Sequence, residues 1–236
     1  MHYQNKMIIE TFVTTAFQQN TRVLACAETR RAICVDPGAD TDIIAGYLNE
    51  NDLRLQAVTL THAHLDHIGG TTDLHKSFPH VEILLHKDDE DLYYLLPEQP
   101  TALGIPRRAW ANLGFEYENP PQITRNWRDG EIYEVGKLRF KILHCPGHTR
   151  GHVVLFEERE RKVFVGDCLF AGSIGRTDLP GGSSEQLMDS ITNKILTLGD
   201  DVTVYSGHGA ETTIGHEKRT NPFLTGHYQL GRGRFI

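Results

Sequence analysis

The chain lacks any apolar run approaching the roughly 20 residues that a membrane helix needs. Its first residues, MHYQNKMIIETF, also lack the apolar stretch of a secretory leader. Cysteine is scarce: Cys26, Cys34, Cys145 and Cys168 are the four, and no two stand as C-x-x-C. That argues against a disulfide scaffold or a cysteine-built zinc site and suits reduced thiols. A basic excess is missing too. With 24 Lys+Arg against 31 Asp+Glu the net charge is −7, whereas nucleic acids and anionic membranes select basic surfaces. No G-x-S-x-G segment offers a serine nucleophile. These absences predict a cytoplasmic protein with no nucleic-acid and no membrane partner, and they leave its oligomeric state open.

What is present is enough for one sizeable core. The 236 residues are 39% apolar and 23% charged, and residues 1–236 read as a single domain. MIIETFVTT, RVLACAET and Arg31 to Asp36 read as strands, the third ending at Pro37-Gly38. Asp40 or Thr41 can cap a helix with Ile43, Ile44, Tyr47 and Leu48 on one face. The strand LQAVTL follows, then a helix from Asp66 towards Phe78 and the strand VEILLH. From Lys87 to about Arg128 five prolines predict an extended loop with one or two short helices. Two hairpins follow, one around Gly136-Lys137 and one turning at Glu157 to Arg161, whose charged tip reads as solvated. Ser183 or Ser184 caps a helix carrying Leu187, Ile191, Ile195 and Leu198, and VTVYSGHG with a short tail helix completes the chain. Hairpins require antiparallel pairing, so two stacked β-layers flanked by helices fit better than a parallel doubly wound sheet.

The chemistry concentrates at Thr61-His62-Ala63-His64-Leu65-Asp66-His67, just past an apolar strand. Two histidines at i and i+2 leaving a strand project the same way, so both can reach one metal. Asp66 and His67 can address a second one. Imidazole with carboxylate suits zinc, iron or manganese. Further candidates stand at other strand ends: His148 after Pro146-Gly147, Asp167 after KVFVG, and His208 between glycines. Cys168, beside Asp167, reads as a small core residue, and Tyr93, Tyr94 and Leu95 also read as core. His2, His75, His80, His86, His144, His216 and His227 have no partner pattern and read as surface or loop histidines.

In that order, THAHLDH, PGHT, GDCLF and GHG closely resemble the metallo-β-lactamase superfamily, from about Asp36 onward. The resemblance implies an α+β fold, the αββα four-layer sandwich of two mixed β-sheets flanked by helices. It implies two divalent metal ions, with His62, His64 and His148 on one, Asp66, His67 and His208 on the other, and Asp167 bridging. His152 would support the site without touching metal. FAGSIGRTDLPGG and TTIGHEKRTNPF look like the glyoxalase II-like hydrolases, which cleave S-acylglutathione thioesters such as S-lactoylglutathione. The implied activity is attack by hydroxide formed on the paired metals, with Asp66 as the catalytic residue that orients it. Where glyoxalase II carries Lys and Tyr past the bridging aspartate, this chain has Arg176 and Asp178, and Ala210 stands where another Tyr occurs. Against that resemblance the helical domain that supplies basic residues to glutathione reads as missing or reduced to a stub, which would leave Arg176 as the substrate-binding cation, with Lys218 and Arg219 near by. Gly175-Arg176-Thr177-Asp178 also resembles the persulfide dioxygenases, which would use one iron on residues matching His62, His148 and Asp167.

Overall fold

A computed structural model describes residues 7–226. The first sheet runs in the order β1 (Met7–Thr14), β2 (Gln19–Cys26), β3 (Arg31–Val35), β4 (Arg54–Thr59), β5 (Glu82–Leu85) and β6 (Arg125–Asn126). Its first two pairings are antiparallel and the rest parallel. The second sheet starts with β7 (Ile132–Val135), β8 (Leu138–His144), β9 (Val153–Glu157) and β10 (Lys162–Gly166), all joined antiparallel. A small hairpin, β11 (Leu169–Phe170) and β12 (Ser173–Ile174), precedes β13 (Thr203–Ser206) and β14 (Thr212–Thr213). β13 joins β10 in parallel and β14 closes the edge. Both sheets are mixed, and the two hairpins expected from the sequence are β7–β8 and β9–β10 of the second.

Side-chain alternation sorts the core into three slabs. Along β2, Leu24 and Cys26 face the other sheet, while Val23 and Ala25 face the helices. Between the sheets lie Leu24, Ile33, Leu84, Phe140 and Phe164. On the outer side of the first sheet, Ile44 and Leu48 of α1 (Thr41–Glu50) pack with Leu65 and Ile68 of α2 (Leu65–Ile68) and Leu74 of α3 (Thr71–Ser77). Three short helices, α4 (Glu90–Tyr94), α5 (Gln99–Ala102) and α6 (Trp110–Leu113), extend this layer. On the far side of the second sheet, Leu187 of α7 (Ser184–Ser190) meets Val154, Val163 and Val165. The four layers are therefore helix, sheet, sheet, helix. α8 (Ile214–Thr220) follows β14. Among the described residues no helix is long and apolar enough to cross a membrane, and all four cysteines are buried free thiols.

Several local expectations need correction. The helix expected from Asp66 to Phe78 is two helices, broken at Gly69-Gly70. A side chain on either glycine would press within 2.8 Å of the Pro37–Gly38 backbone, so the chain turns there to pack against that loop. The segment from Lys87 to Arg128 is mostly short helical turns, with Pro97 and Pro100 in their first turns, and it ends in β6. Tyr93 is fully buried, but Tyr94 and Leu95 are 44% and 52% exposed. Asp40 stands at the α1 cap with φ 54° and makes no side-chain cap bond, and Ile43 is 61% exposed. Ile44 and Leu48, four apart, hold the buried face instead. Ser183 does cap α7, accepting from Gln186 N at 3.3 Å, and a π-turn and a 3-10 turn carry the helical path to Leu198. Glu157 is buried rather than solvated and accepts from Arg139 N and Glu160 N. His86 is buried as well, while His80 and His216 are exposed and His75 and His144 are partly buried. His2 and His227 lie outside the described residues.

Ile43 and Ile44 share one helix and one propensity but not one environment. Ile44→Ala should cost about 2–5 kcal/mol in denaturant unfolding, and Ile43→Ala should stay within about 0.5 kcal/mol. Equal losses from the two would contradict the packing of α1.

Candidate metal centre

Every candidate ligand lies past a strand at the same end of the two sheets, on a loop or, for Asp66 and His67, in α2. Past β4, Thr61 and His62 are fixed by Asp36, which ends β3 in a left-handed conformation with φ 52°. Asp36 accepts from Thr61 N at 2.7 Å and from Thr61 Oγ1 at 2.6 Å. It also takes the His67 Nδ1 proton at 2.9 Å, which leaves Nε2 of that ring facing inward. α2 then folds the chain back on itself: His64 O accepts from His67 N and Ile68 N, setting Asp66 and His67 on the turn after His64.

The second sheet supplies the others. His148 follows Gly147, where φ is 136° and a side chain would lie 2.2 Å from Leu187 N. Its Nδ1–H donates to Arg176 O at 2.8 Å, so Nε2 again faces inward, 2.9 Å from His64 Nδ1. His208 donates through Nδ1 to Phe17 O at 3.1 Å, with the same result. The neighbouring Gly207 is required, because a Cβ there would stand 2.1 Å from Asp167 Oδ1. Asp167 leaves β10 after Gly166, whose φ of 48° sits tight against Thr61 and His152. Asp167 N donates to His152 Nε2 at 3.1 Å, and the His152 ring stacks on His62 at 4.9 Å. His152 thus props the site while its own lone pair is spent.

The seven side chains form two groups with a carboxylate between them. Ligand atoms of His62, His64 and His148 lie within 4.8 Å of one another, and so do those of Asp66, His67 and His208. Asp167 Oδ1 is 3.4 Å from His67 Nε2, and its Oδ2 is 3.7 Å from His148 Nε2 and 3.6 Å from His208 Nε2. Asp66 Oδ2 is 3.2 Å from His208 Nε2 and 3.8 Å from His67 Nε2. Burial and the neighbouring His148 push His64 down to about 3, and burial with the surrounding histidines holds His62 well below its usual range. Burial alone would lower His67, but Asp167 and Asp66 raise it strongly. Burial opposes ionisation of Asp167, yet His67, His208 and His148 together hold its carboxyl far below the usual range. One group therefore offers neutral lone pairs and the other attracts positive charge.

These properties fit a pair of cations. His62 Nε2, His67 Nε2 and Asp167 Oδ1 are buried without a hydrogen-bond partner, an arrangement that costs free energy unless another group binds them. A further trio, His86, Asp88 and His144, lies close enough to be considered. Its two rings stack 9° from parallel at 4.0 Å, so their in-plane lone pairs do not converge on one point. His144 Nε2 is already bonded to Arg150 O, and His86 Nδ1 accepts from Asp88 N.

Arg176 is near the site through its backbone. Its guanidinium makes a bidentate pair with Asp178, at 2.7 and 2.9 Å, and is half exposed. Two supports escape a search for ligand types. Asp36 follows β3 as V-D-P-G and carries only the weak signal of an acid at a strand end. Asn20 carries none. Its backbone N–H donates to Gly207 O, and its Nδ2 donates to Ser206 O and Gly209 O, tying the His208 loop to β2. The tail motif also gains a function: buried Glu217 accepts from Gly172 N, Thr212 Oγ1 and Asn221 Nδ2, and Asn221 donates to Ser173 O. Together they hold the β11–β12 hairpin, which places the Phe170 ring 6.2 Å from His208.

Known proteins carry the same frame. The chain is 42% identical to hydroxyacylglutathione hydrolase GloC of Haemophilus influenzae over 219 residues, 92% of this chain and 98% of that one. The solved structure of BLEG-1, a B3 metallo-β-lactamase, has a TM-score of 0.80 at 33% identity, over 92% of this chain and all of its own. TTHA1623, solved in a di-iron-bound form, gives 0.77 at 33%, over 91% of this chain and all of its own. A family model described as the metallo-β-lactamase superfamily matches residues 14–208, every candidate ligand included. By that match and by the αββα sandwich that carries it, the chain belongs to the metallo-β-lactamase superfamily.

Proposed function

We propose that this chain is a two-metal hydrolase of thioesters, with S-acylglutathiones such as S-lactoylglutathione as its substrate class. The observation that carries the reading is Asp167, whose carboxylate lies within 3.7 Å of histidines of both groups, His148 on one side and His67 and His208 on the other. The similarity to GloC supports the substrate class, and the di-iron form of TTHA1623 supports a pair of ions. Zinc, iron and manganese all suit the donor set.

His62, His64 and His148 on one side and Asp66, His67 and His208 on the other would hold two divalent ions, which would supply an activated water and a Lewis acid. The chain's own groups do the rest. Bonds from His67, His148 and His208 Nδ1 to Asp36, Arg176 O and Phe17 O fix each tautomer and ring angle, so no ring has to turn during reaction. Asp66 is the less buried of the two site carboxylates, and its Oδ2 can accept a hydrogen bond from the attacking water and orient it. The leaving group needs little help. A thiol ionises near pH 8.5, so it departs as thiolate without a strong acid beside it. Phe170, held by α8 and flanking His208, gives the acyl group an apolar wall.

Binding of the glutathione part is the weak point of the site. Arg176 meets an anionic substrate only in competition with Asp178, and exposed ion pairs contribute little.

Protein purified without chelator should approach two transition metals per chain by elemental analysis, and His208→Ala should hold mainly one. A fully active wild type with one metal would remove the binuclear reading. Asp66→Ala should lower kcat by about 10²-fold or more while KM moves far less, the pattern of a group acting in the transition state. Unchanged turnover with both metals retained would sink its orienting role. S-lactoylglutathione should be hydrolysed with a high KM, and Arg176→Ala should raise that KM by up to about fivefold, the reach of one exposed ion pair. Thioesters of a small neutral thiol should not respond to that substitution. No hydrolysis of S-lactoylglutathione, or oxygen consumption with glutathione persulfide, would replace the hydrolase by an iron persulfide dioxygenase.

A further inference from the structure

Asp89 belongs to none of the ligand groups, yet it touches both loops that supply the first one. It ends a 3-10 turn, Lys87–Asp89, and is buried. Its Oδ2 accepts from Ala63 N at 3.2 Å and from Thr149 Oγ1 at 2.7 Å, and its Oδ1 accepts from Gly151 N at 2.6 Å. Ala63 stands between His62 and His64, and Thr149 directly follows His148. Gly151 is small for this reason: a Cβ there would lie 2.6 Å from Asp89 N and 2.8 Å from the Asp89 carboxyl carbon. One carboxylate therefore clamps two loops that come from different sheets.

The chemistry of the clamp is informative. All three donors are uncharged, so a desolvated carboxylate is a costly way to join two loops, and an amide or a hydroxyl would bridge them at less cost. A charge is worth keeping where a positive charge stands near by. The adjacent ligand group is three imidazoles, which bring no charge of their own, whereas Asp66 belongs to the other group and Asp167 is shared. Asp36 gives the second group comparable support through His67 Nδ1.

We propose that Asp89 is a positioning residue for the ion taken by His62, His64 and His148. It sets the spacing of the two loops that carry them and adds nearby negative charge that this neutral triad lacks. The proposal rests on the two-metal reading above, and the experiment separates the two. Chelator-stripped protein is titrated with Zn(II) by calorimetry, with near-UV circular dichroism and thermal unfolding of the same stripped samples.

Wild type should show two binding events. Asp89→Ala should weaken one of them by about 10–100-fold, the usual effect of removing an outer support from a metal site, and leave the other unchanged. After dialysis that variant should retain close to one ion per chain. Asp89→Asn keeps the volume but turns an amide NH2 towards existing donors, so it should weaken the same event. Thr149→Val removes one arm only and should weaken that event less. If Asp89→Ala fails to fold, these two variants are read by the same criterion. Two events at wild-type affinity in the variants would overturn the proposal. So would equal weakening of both events with a lower melting temperature of the stripped protein, because that is the mark of a clamp serving the fold alone. A single event in wild type would instead overturn the binuclear reading, and Asp89 would then stand or fall on whether that one event weakens.

Discussion

Val153 N, at the start of β9, donates to Thr61 O at 2.8 Å, and this bond joins the two sheets beside the ligands. The geometry of the centre depends on it and on further bonds across the sheets, among them Asn20 N to Gly207 O at 2.7 Å. His62, His64, Asp66 and His67 come from the first sheet, and His148, Asp167 and His208 from the second. A slide of one sheet over the other by a single ångström would spoil every distance between candidate ligands drawn from different sheets. The slab of Leu24, Ile33, Leu84, Phe140 and Phe164 resists that slide by close packing, but packing alone tolerates small shifts. The two directional bonds remove that tolerance at the site itself.

Given that register, the remaining task is to keep charge in a buried place. The centre concentrates carboxylates and imidazoles where water is scarce, and each would be destabilised alone. The chain answers with division of labour. Asp36 and the carbonyls of Arg176 and Phe17 take ring protons, so three histidines turn Nε2 inward. His152 holds the backbone of Asp167 and stacks beneath His62. Glycines at 147, 166 and 207 let backbone approach where any side chain would collide. Loop residues carry the ligands, but elements of the sheets determine where those loops go.

The candidate ligands stand out in the sequence because their types are rare and their spacing is tied to strand ends. His62 and His64 two apart after QAVTL, and glycines around His148 and His208, carry that message without any fold. The hairpins were legible because β8 alternates as Leu138-Arg139-Phe140-Lys141-Ile142, one face inward. Supports such as Asn20 were hidden, since their partners stand as far as 189 residues away and nothing local marks them. The break at Gly69-Gly70 was hidden for the same reason: it answers to Pro37 and Gly38, not to its own neighbours. Glu157 misled because its sequence is that of a solvated tip, while one backbone N–H in the turn and one on β8 captured its carboxylate. Local pattern reports what a residue prefers, and tertiary contacts decide the exceptions.

The grip of α8 on the β11–β12 hairpin links distant parts of the chain. Glu217 and Asn221 bond to the backbone of Gly172 and Ser173, so the neighbouring Phe170 side chain can change while the hairpin's position holds. Divergence in this lineage therefore has two separate dials. Residues such as Phe170 can be exchanged without disturbing the anchor. A change at Glu217 or Asn221 moves the whole wall at once, with Arg176 and the carbonyl that orients His148 behind it. Substrate preference and metal geometry are mechanically separable on one side of this joint and inseparable on the other.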